Sequence, residues 1–236
     1  MNDGKEAEAV FERHARCYGK ALYRGLSLSG ESREYFARGR VDWLARRLTE
    51  QGIRARRVMD FGCGTGSSVP LLLDRLHAEK VVGVDVSETT LAIARQTCRH
   101  ESSEFHTVNS YCSQGTFDLA YCNGVFHHIE PDERMAALAW LRVALKPRGW
   151  LALYENNPWN LGTHLVMARI PFDRGAKKIA PPACRRMLAG AGFETIAVDY
   201  LFFFPRLLKF LRRTEPSLSH VPLGAQYLAL ARALDA

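Results

Sequence analysis

Val58-Met-Asp-Phe-Gly-Cys-Gly-Thr-Gly66 decides how this chain is read. Val58, Met59 and Phe61 surround one acid, Asp60, and glycine then falls at every second position, at 62, 64 and 66. A short apolar run that stops at glycines predicts a buried strand ending in a tight turn. A helix is expected directly after it, because Val69, Leu72, Leu73 and Leu76 recur at the spacing of one apolar helical face. Glycines let a ligand approach the backbone where a side chain would hold it off. The following helix aims unpaired amide N–H groups and a partial positive charge at the same place.

Working outward, Val81-Val-Gly-Val-Asp85-Val86-Ser87 predicts a second buried strand, whose terminal acid lies 19 residues after Gly66. Ser87 is suited to cap the next helix, with Glu88 in its first turn. That leaves Asp85 free to accept both hydroxyls of a ribose. Glu104–Val108 is a weaker third strand, followed by Asn109 and Ser110. A fourth strand starts at Phe117-Asp118 and has Asn123 at its tip, with His127 and His128 just beyond. A helix over 130–146 is expected to turn Met135, Leu138, Ala139 and Val143 inward. Leu145-Lys-Pro-Arg-Gly149 turns into a fifth strand, Trp150–Tyr154, which ends in Glu155-Asn-Asn-Pro158. Strands over 194–204 and 226–231 complete the series. Strands alternating with helices predict an α/β fold with a mostly parallel sheet.

The glycine spacing is G-x-G-x-G, not the G-x-G-x-x-G of dinucleotide folds, which argues against a nicotinamide oxidoreductase. Asp60-Phe-Gly-Cys-Gly-Thr-Gly66 resembles the first motif of class I S-adenosylmethionine-dependent methyltransferases. Asp85, the Phe117 strand and the Pro147 turn resemble later motifs in the right order, with Arg148 where the family's L-x-P-G-G turn has glycine. The tail from Glu155-Asn-Asn-Pro to Pro222-Leu-Gly-Ala-Gln-Tyr227 looks like a bacterial small-molecule branch. The resemblance implies a Rossmann-like, doubly wound, seven-stranded sheet, mostly parallel with an antiparallel last strand, under a helical N-terminal cap. It implies a methyltransferase domain over 58–236 and a cap over 1–57, with 159–182 and 205–222 as acceptor-lid insertions. The implied cofactor is S-adenosyl-L-methionine and the product S-adenosyl-L-homocysteine. Carried over residue by residue, Asp60, Gly62, Cys63, Gly64 and Gly66 form the cofactor turn, and Asp85 and Val86 meet the adenosine. Asn109 or Ser110 takes the place of the family's adenine-facing acid. Asn123 lies near the cofactor's amino-acid end, and Tyr18 and Arg38 of the cap, with Tyr23 and Tyr35 beside them, are contact candidates.

The implied reaction is attack by an acceptor oxygen, nitrogen or carbon on the cofactor's methyl group. Its main requirement is positioning. His127 and Glu155 are the general-base candidates, each opposed by a plain structural role. His164 and Arg169 are further acceptor contacts. An RNA or tRNA methyltransferase would use the net charge of +7, yet no base-flipping motif is present and Asn157-Pro158-Trp159 only echoes one. A non-catalytic cofactor-binding partner subunit would share the glycine turn. Nucleic acid is thus disfavoured, and a small-molecule acceptor, apolar or phosphorylated, is expected.

Composition agrees. A chain of 236 residues with 47% apolar content suits one α/β domain. No apolar run approaches the ~20 residues of a membrane span, and the first residues do not read as a secretory signal. The six cysteines form no C-x-x-C pair, which predicts reduced thiols, a cytoplasmic setting and no metal site. Over 202–213 an apolar helical face carries Arg206, Lys209, Arg212 and Arg213 beside it. That face either packs on the domain or contacts a membrane peripherally. Oligomeric state is left open.

Overall fold

The computed structural model describes residues 29–170 and 175–235. Tyr18, Tyr23 and the first half of the expected cap lie outside the described residues. The elements, in chain order, are α1 (Arg33–Glu50), β1 (Arg57–Phe61), α2 (Val69–Arg75), β2 (Lys80–Asp85), α3 (Glu88–Thr97), β3 (Ser103–Thr107) and β4 (Phe117–Asn123). Then follow α4 (Arg134–Ala144), β5 (Leu145–Asn156), α5 (Leu161–Arg169), α6 (Pro181–Gly190) and β6 (Phe193–Leu201). A 3-10 helix (Arg206–Thr214), α7 (Glu215–Leu218) and β7 (Gln226–Ala233) end the chain.

The seven strands lie in the order β3-β2-β1-β4-β5-β7-β6. β7 runs antiparallel to both its neighbours, and the other pairings are parallel. The fold is therefore the expected Rossmann-like doubly wound sheet with an antiparallel last strand. One face carries Val58, Val81, Leu119, Tyr121 and Tyr154 beneath α1, α2 and α3. The opposite face carries Met59, Val82, Cys122 and Leu153 beneath α4 and α6. Burial on both faces is why these strands read as continuous apolar runs. The chain steps outward from β1 through β2 to β3 and then returns to β4 on the other side of β1. At such a reversal the crossover helices diverge and leave a crevice beyond the carboxyl ends of the strands.

Three local expectations are corrected. In α4 the buried stripe is Leu138, Leu141 and Ala144, while Met135 and Val143 are exposed. The three-residue spacing faces the sheet, so the inward face lies about a third of a turn from the expected one. The segment over 159–182 is not wholly irregular, because Asn160 accepts the Thr163 N–H and starts α5. The helix expected near residue 204 is instead a 3-10 helix with non-helical angles at Leu208.

Candidate active site

The glycine turn follows β1 as expected, and its conformation explains its composition. Gly62 has φ +71, and a methyl group there would sit 2.3 Å from Val125 Cγ2. Gly64 has φ +53 with open space beyond it, so a ligand can lie against bare backbone. The Gly64 N–H donates to Asp85 Oδ2 at 2.8 Å, and the Ser87 N–H donates to Oδ1 at 3.0 Å. Asp85 is buried, and burial raises its pKa against the pull of these donors. Val86, alongside, is exposed, as are Asn109 and Ser110 beyond β3. Ser110 Oγ is 2.7 Å from Thr107 Oγ1. Cys63 is buried and burial pushes its thiol far up, so it is an inert part of the turn. Gly66 closes the turn, its N–H donating to Cys63 O at 2.9 Å.

Among the polar groups near this turn that are buried without a partner among the described residues are Asp60 Oδ2, Asn123 Oδ1, Arg40 Nε and the Tyr121 hydroxyl. Such orphans are rare because each costs about 1–3 kcal/mol. Burial lifts the Asp60 carboxyl to about 7, with the Asp85 charge adding to the rise and Arg40 opposing it. Arg40 itself is 7% exposed and its Nη1 donates to the neutral Gln226 Oε1 at 2.9 Å. Beside that hydroxyl, the site thus offers two unfilled acceptors and one unfilled cationic donor.

A cavity of about 510 Å3 adjoins the turn through Ser67 and Ser68 and opens over the ends of β4 and β5. Arg40, Asn123, His127, Asn156 and Gln226 supply polar wall, with Gln226 Nε2 donating to Asn156 Oδ1 at 3.1 Å. Leu165, Val166, Met167, Phe202, Phe203 and Phe204 supply apolar wall. Both histidines line this cavity, their rings 4.2 Å apart. They sit in a turn, where the alternation that separates neighbours on a strand does not apply.

His127 Nδ1 lies 2.5 Å from Glu155 Oε2, and both side chains are buried. Glu155 Oε1 accepts the Phe126 N–H at 2.9 Å. Both carboxylate oxygens are therefore held by the protein. A carboxylate only accepts, so with Glu155 ionised the imidazole proton resides on Nδ1 and Nε2 is the basic nitrogen.

Of the remaining expected residues, Arg38 is exposed, and Arg40 reaches the cavity instead. The signal was present: Arg40 falls inside the stripe of Ala37, Val41, Leu44 and Leu48 that α1 buries. His164 and Arg169 are exposed on α5, which turns Val166 and Met167 to the cavity. Asn157 is wholly buried, its Nδ2 donating to Pro222 O and Gly224 O, and so fixes the loop before β7. Among the described residues no group of three His, Cys, Asp or Glu is placed to hold a metal ion.

Comparison with known proteins agrees with this geometry. Residues 58–149 match the methyltransferase domain family. The chain is 34% identical over 120 residues to trans-aconitate 2-methyltransferase of Variovorax paradoxus, which covers 50% of this chain and 46% of that protein. It is 30% identical over 143 residues to the trans-aconitate 2-methyltransferase of Methylobacterium nodulans, covering 59% and 50%. The chain spans about half the length of these relatives. In fold it is similar to an S-adenosylmethionine-dependent methyltransferase from Mesorhizobium loti, with TM-score 0.58 at 22% identity, covering 81% of this chain and 97% of that one. It is also similar to a chain in the complex of the Haloferax volcanii Trm112 methyltransferase activator with its methyltransferase, with TM-score 0.64 at 16% identity, covering 91% and 95%. The glycine turn, the acid at the tip of β2, the strand order and these matches together give the chain the fold of S-adenosylmethionine-dependent methyltransferases, with residues 58–149 carrying the match to the methyltransferase domain family.

Proposed function

We propose that this protein transfers a methyl group from S-adenosyl-L-methionine to a small-molecule acceptor held in the cavity over β4 and β5. One observation carries the reading: Asp60, Asn123 and Arg40 are buried together with unfilled hydrogen-bonding capacity that suits the two charges of an amino-acid end. Asp60 and Asn123 can accept from an ammonium, and Arg40 can donate to a carboxylate. Asp85 would hold the ribose, with Val86 against the adenine and the Gly64 backbone beneath. The cofactor, when bound, supplies a methyl group on a positively charged sulfur, so the leaving group needs no activation.

The chain's own residues then have two tasks. Arg40, Asn123 and the glycine turn orient one reactant, while Asn156, Gln226 and the phenylalanine wall orient the other. His127 Nε2 serves as general base toward the acceptor, a contribution of about 10²–10⁴. Glu155 acts as a positioning residue, because its oxygens are committed to Phe126 and His127. The mixed wall suits an acceptor with one polar end and one apolar end. Trans-aconitate, for which relatives are named, is a tricarboxylate without an apolar end, and is tried beside acceptors that have one.

The test is calorimetric titration with S-adenosyl-L-homocysteine, repeated on Asp85→Ala. Micromolar binding weakened at least tenfold by the substitution is expected. A folded protein that binds no S-adenosyl-L-homocysteine would overturn the proposal. Cofactor binding with turnover only in the presence of a second protein would replace it with the partner-subunit reading, a form that the structural similarity to a Trm112-bound chain makes concrete.

A further inference from the structure

The cavity has an unusual lip. On one side is the 3-10 helix, whose three-residue repeat sorts its side chains into rows. Leu208 and Leu211 are half-buried, whereas Leu207 is 87% and Phe210 70% exposed. The 3-10 helix follows directly on Phe203, Phe204 and Pro205, which line the cavity. On the other side is α5, with Leu165 at the cavity and Leu161 projecting 81% exposed. Large apolar groups thus stand in water on both sides of one opening.

The lip is also basic. Arg206, Lys209 and Arg213 are exposed and form no ion pair among the described residues. The sequence contains no acid over 200–214 or over 156–172. The 3-10 helix is held to the body by a separate set of bonds. Arg212 pairs with Glu31 at 2.8 Å, lies over the Tyr35 ring and donates to Phe204 O. Glu215 accepts the Phe204 N–H at 3.0 Å. One arginine anchors the segment, and the remaining cations and apolar side chains face outward.

Packing on the domain does not explain Leu207 and Phe210, because no described residue covers that face. We propose that the lip formed by the 3-10 helix and α5 docks on an anionic phospholipid surface, with Leu207, Phe210 and Leu161 entering the acyl boundary and Arg206, Lys209 and Arg213 meeting the headgroups. Exposed apolar residues interleaved with unpaired cations are the composition that such surfaces bind. An acid-free rim is complementary to a negative surface and would gain nothing from a neutral one. A lipophilic acceptor dissolved there would enter the cavity directly. That corollary rests on the methyl-transfer reading, whereas the docking does not.

The experiment is co-sedimentation of the full chain with phosphatidylcholine vesicles, with and without phosphatidylserine, at low and high salt. Strong binding only to the anionic vesicles, lost at high salt, is expected. Lys209→Ala with Arg213→Ala should lower partitioning about thirtyfold. Leu207→Ser with Phe210→Ser should lower it on anionic vesicles by a similar order. Phe210→Trp should shift its fluorescence to the blue on adding anionic vesicles. Each variant should still bind S-adenosyl-L-homocysteine as the parent does, which separates docking from folding and from the cofactor site. Three results would overturn the proposal: no binding to anionic vesicles by folded protein, binding that neither double variant weakens, or a tryptophan that stays in water. Preferential binding of RNA through the same cations, with vesicles ignored, would overturn it in favour of a nucleic-acid surface.

Discussion

Asp60 provides the most direct test of how the cofactor's charged end is held. Its carboxyl is raised from 3.8 to about 7, first by burial, then by the charge of Asp85, with Arg40 in opposition. The ligand-free folded protein therefore keeps this proton up to near neutrality, whereas the unfolded chain loses it near pH 4. The folded state binds more protons across that window, so this group makes stability fall as pH rises from about 4 to about 7, after which it levels off. The full span corresponds to about 4 kcal/mol above pH 8. An ammonium beside Asp60 requires the ionised form. At pH 6 ligand binding must expel nearly one proton, which costs about 1.4 kcal/mol, or tenfold in affinity. Calorimetry of S-adenosyl-L-homocysteine binding in two buffers of different protonation enthalpy counts that proton. The expected result is release of close to one proton at pH 6 and almost none at pH 8, with affinity about tenfold higher at pH 8. In Asp60→Asn the release and the pH dependence should both vanish. The variant should bind about thirtyfold more weakly at pH 8, reflecting ~2 kcal/mol for a charged hydrogen bond. Its melting temperature should also depend less on pH. Proton release that persists in Asp60→Asn, or is absent from the parent, would refute the assignment.

Other outcomes follow from the same geometry. With an acceptor in hand, His127→Ala should lower single-turnover methyl transfer about 10²–10⁴-fold while cofactor affinity changes little. Glu155→Gln should lower it by about 10²–10⁴-fold as well, since it upsets the tautomer and orientation of the imidazole. Gly62→Ala should cost about 2–4 kcal/mol in denaturant unfolding, because a left-handed backbone and a 2.3 Å contact with Val125 both oppose the methyl group. Gly64→Ala should cost only about 1 kcal/mol, since nothing crowds it, yet should abolish detectable S-adenosyl-L-homocysteine binding. Asn157→Ala should cost about 2–3 kcal/mol and lower the melting temperature by about 5–10 °C, because it strands the carbonyls of Pro222 and Gly224.

What the sequence revealed and what it hid divide along physical lines. The glycine turn, the Ser87 cap and Asp85 are legible because each depends on residues close in the chain: a positive φ, a hydroxyl three residues before an amide, an acid at the end of an apolar run. Arg40 was legible in principle, since a cation inside a buried helical stripe must have a polar reason to be there. The bond between His127 and Glu155 was not. The two lie 28 residues apart, and only the parallel register that sets Asn123 beside Tyr154 brings the exits of β4 and β5 together. Sequence offered them as two separate base candidates. Register makes them one hydrogen-bonded unit, so the arrangement of this site is set by strand pairing and not by either residue alone.

The segment over 204–214 turns on a different quantity, the number of residues per turn. At 3.6 residues per turn Phe204, Leu207, Leu208 and Leu211 form one stripe, which a domain would be expected to bury. At three per turn the stripe splits. Leu208 and Leu211 go to one row and are half-buried, while Leu207 and Phe210 go to another and stand in water. The non-helical angles at Leu208 mark where an α-helix is refused. Pro205 precedes the segment, and Arg212 and Glu215 bond back to the Phe204 backbone. Leu207 would face inward in one helix type and faces outward in the other. Whether Leu207 packs or stands exposed is therefore a choice between two backbone geometries, and the geometry found is the exposed one.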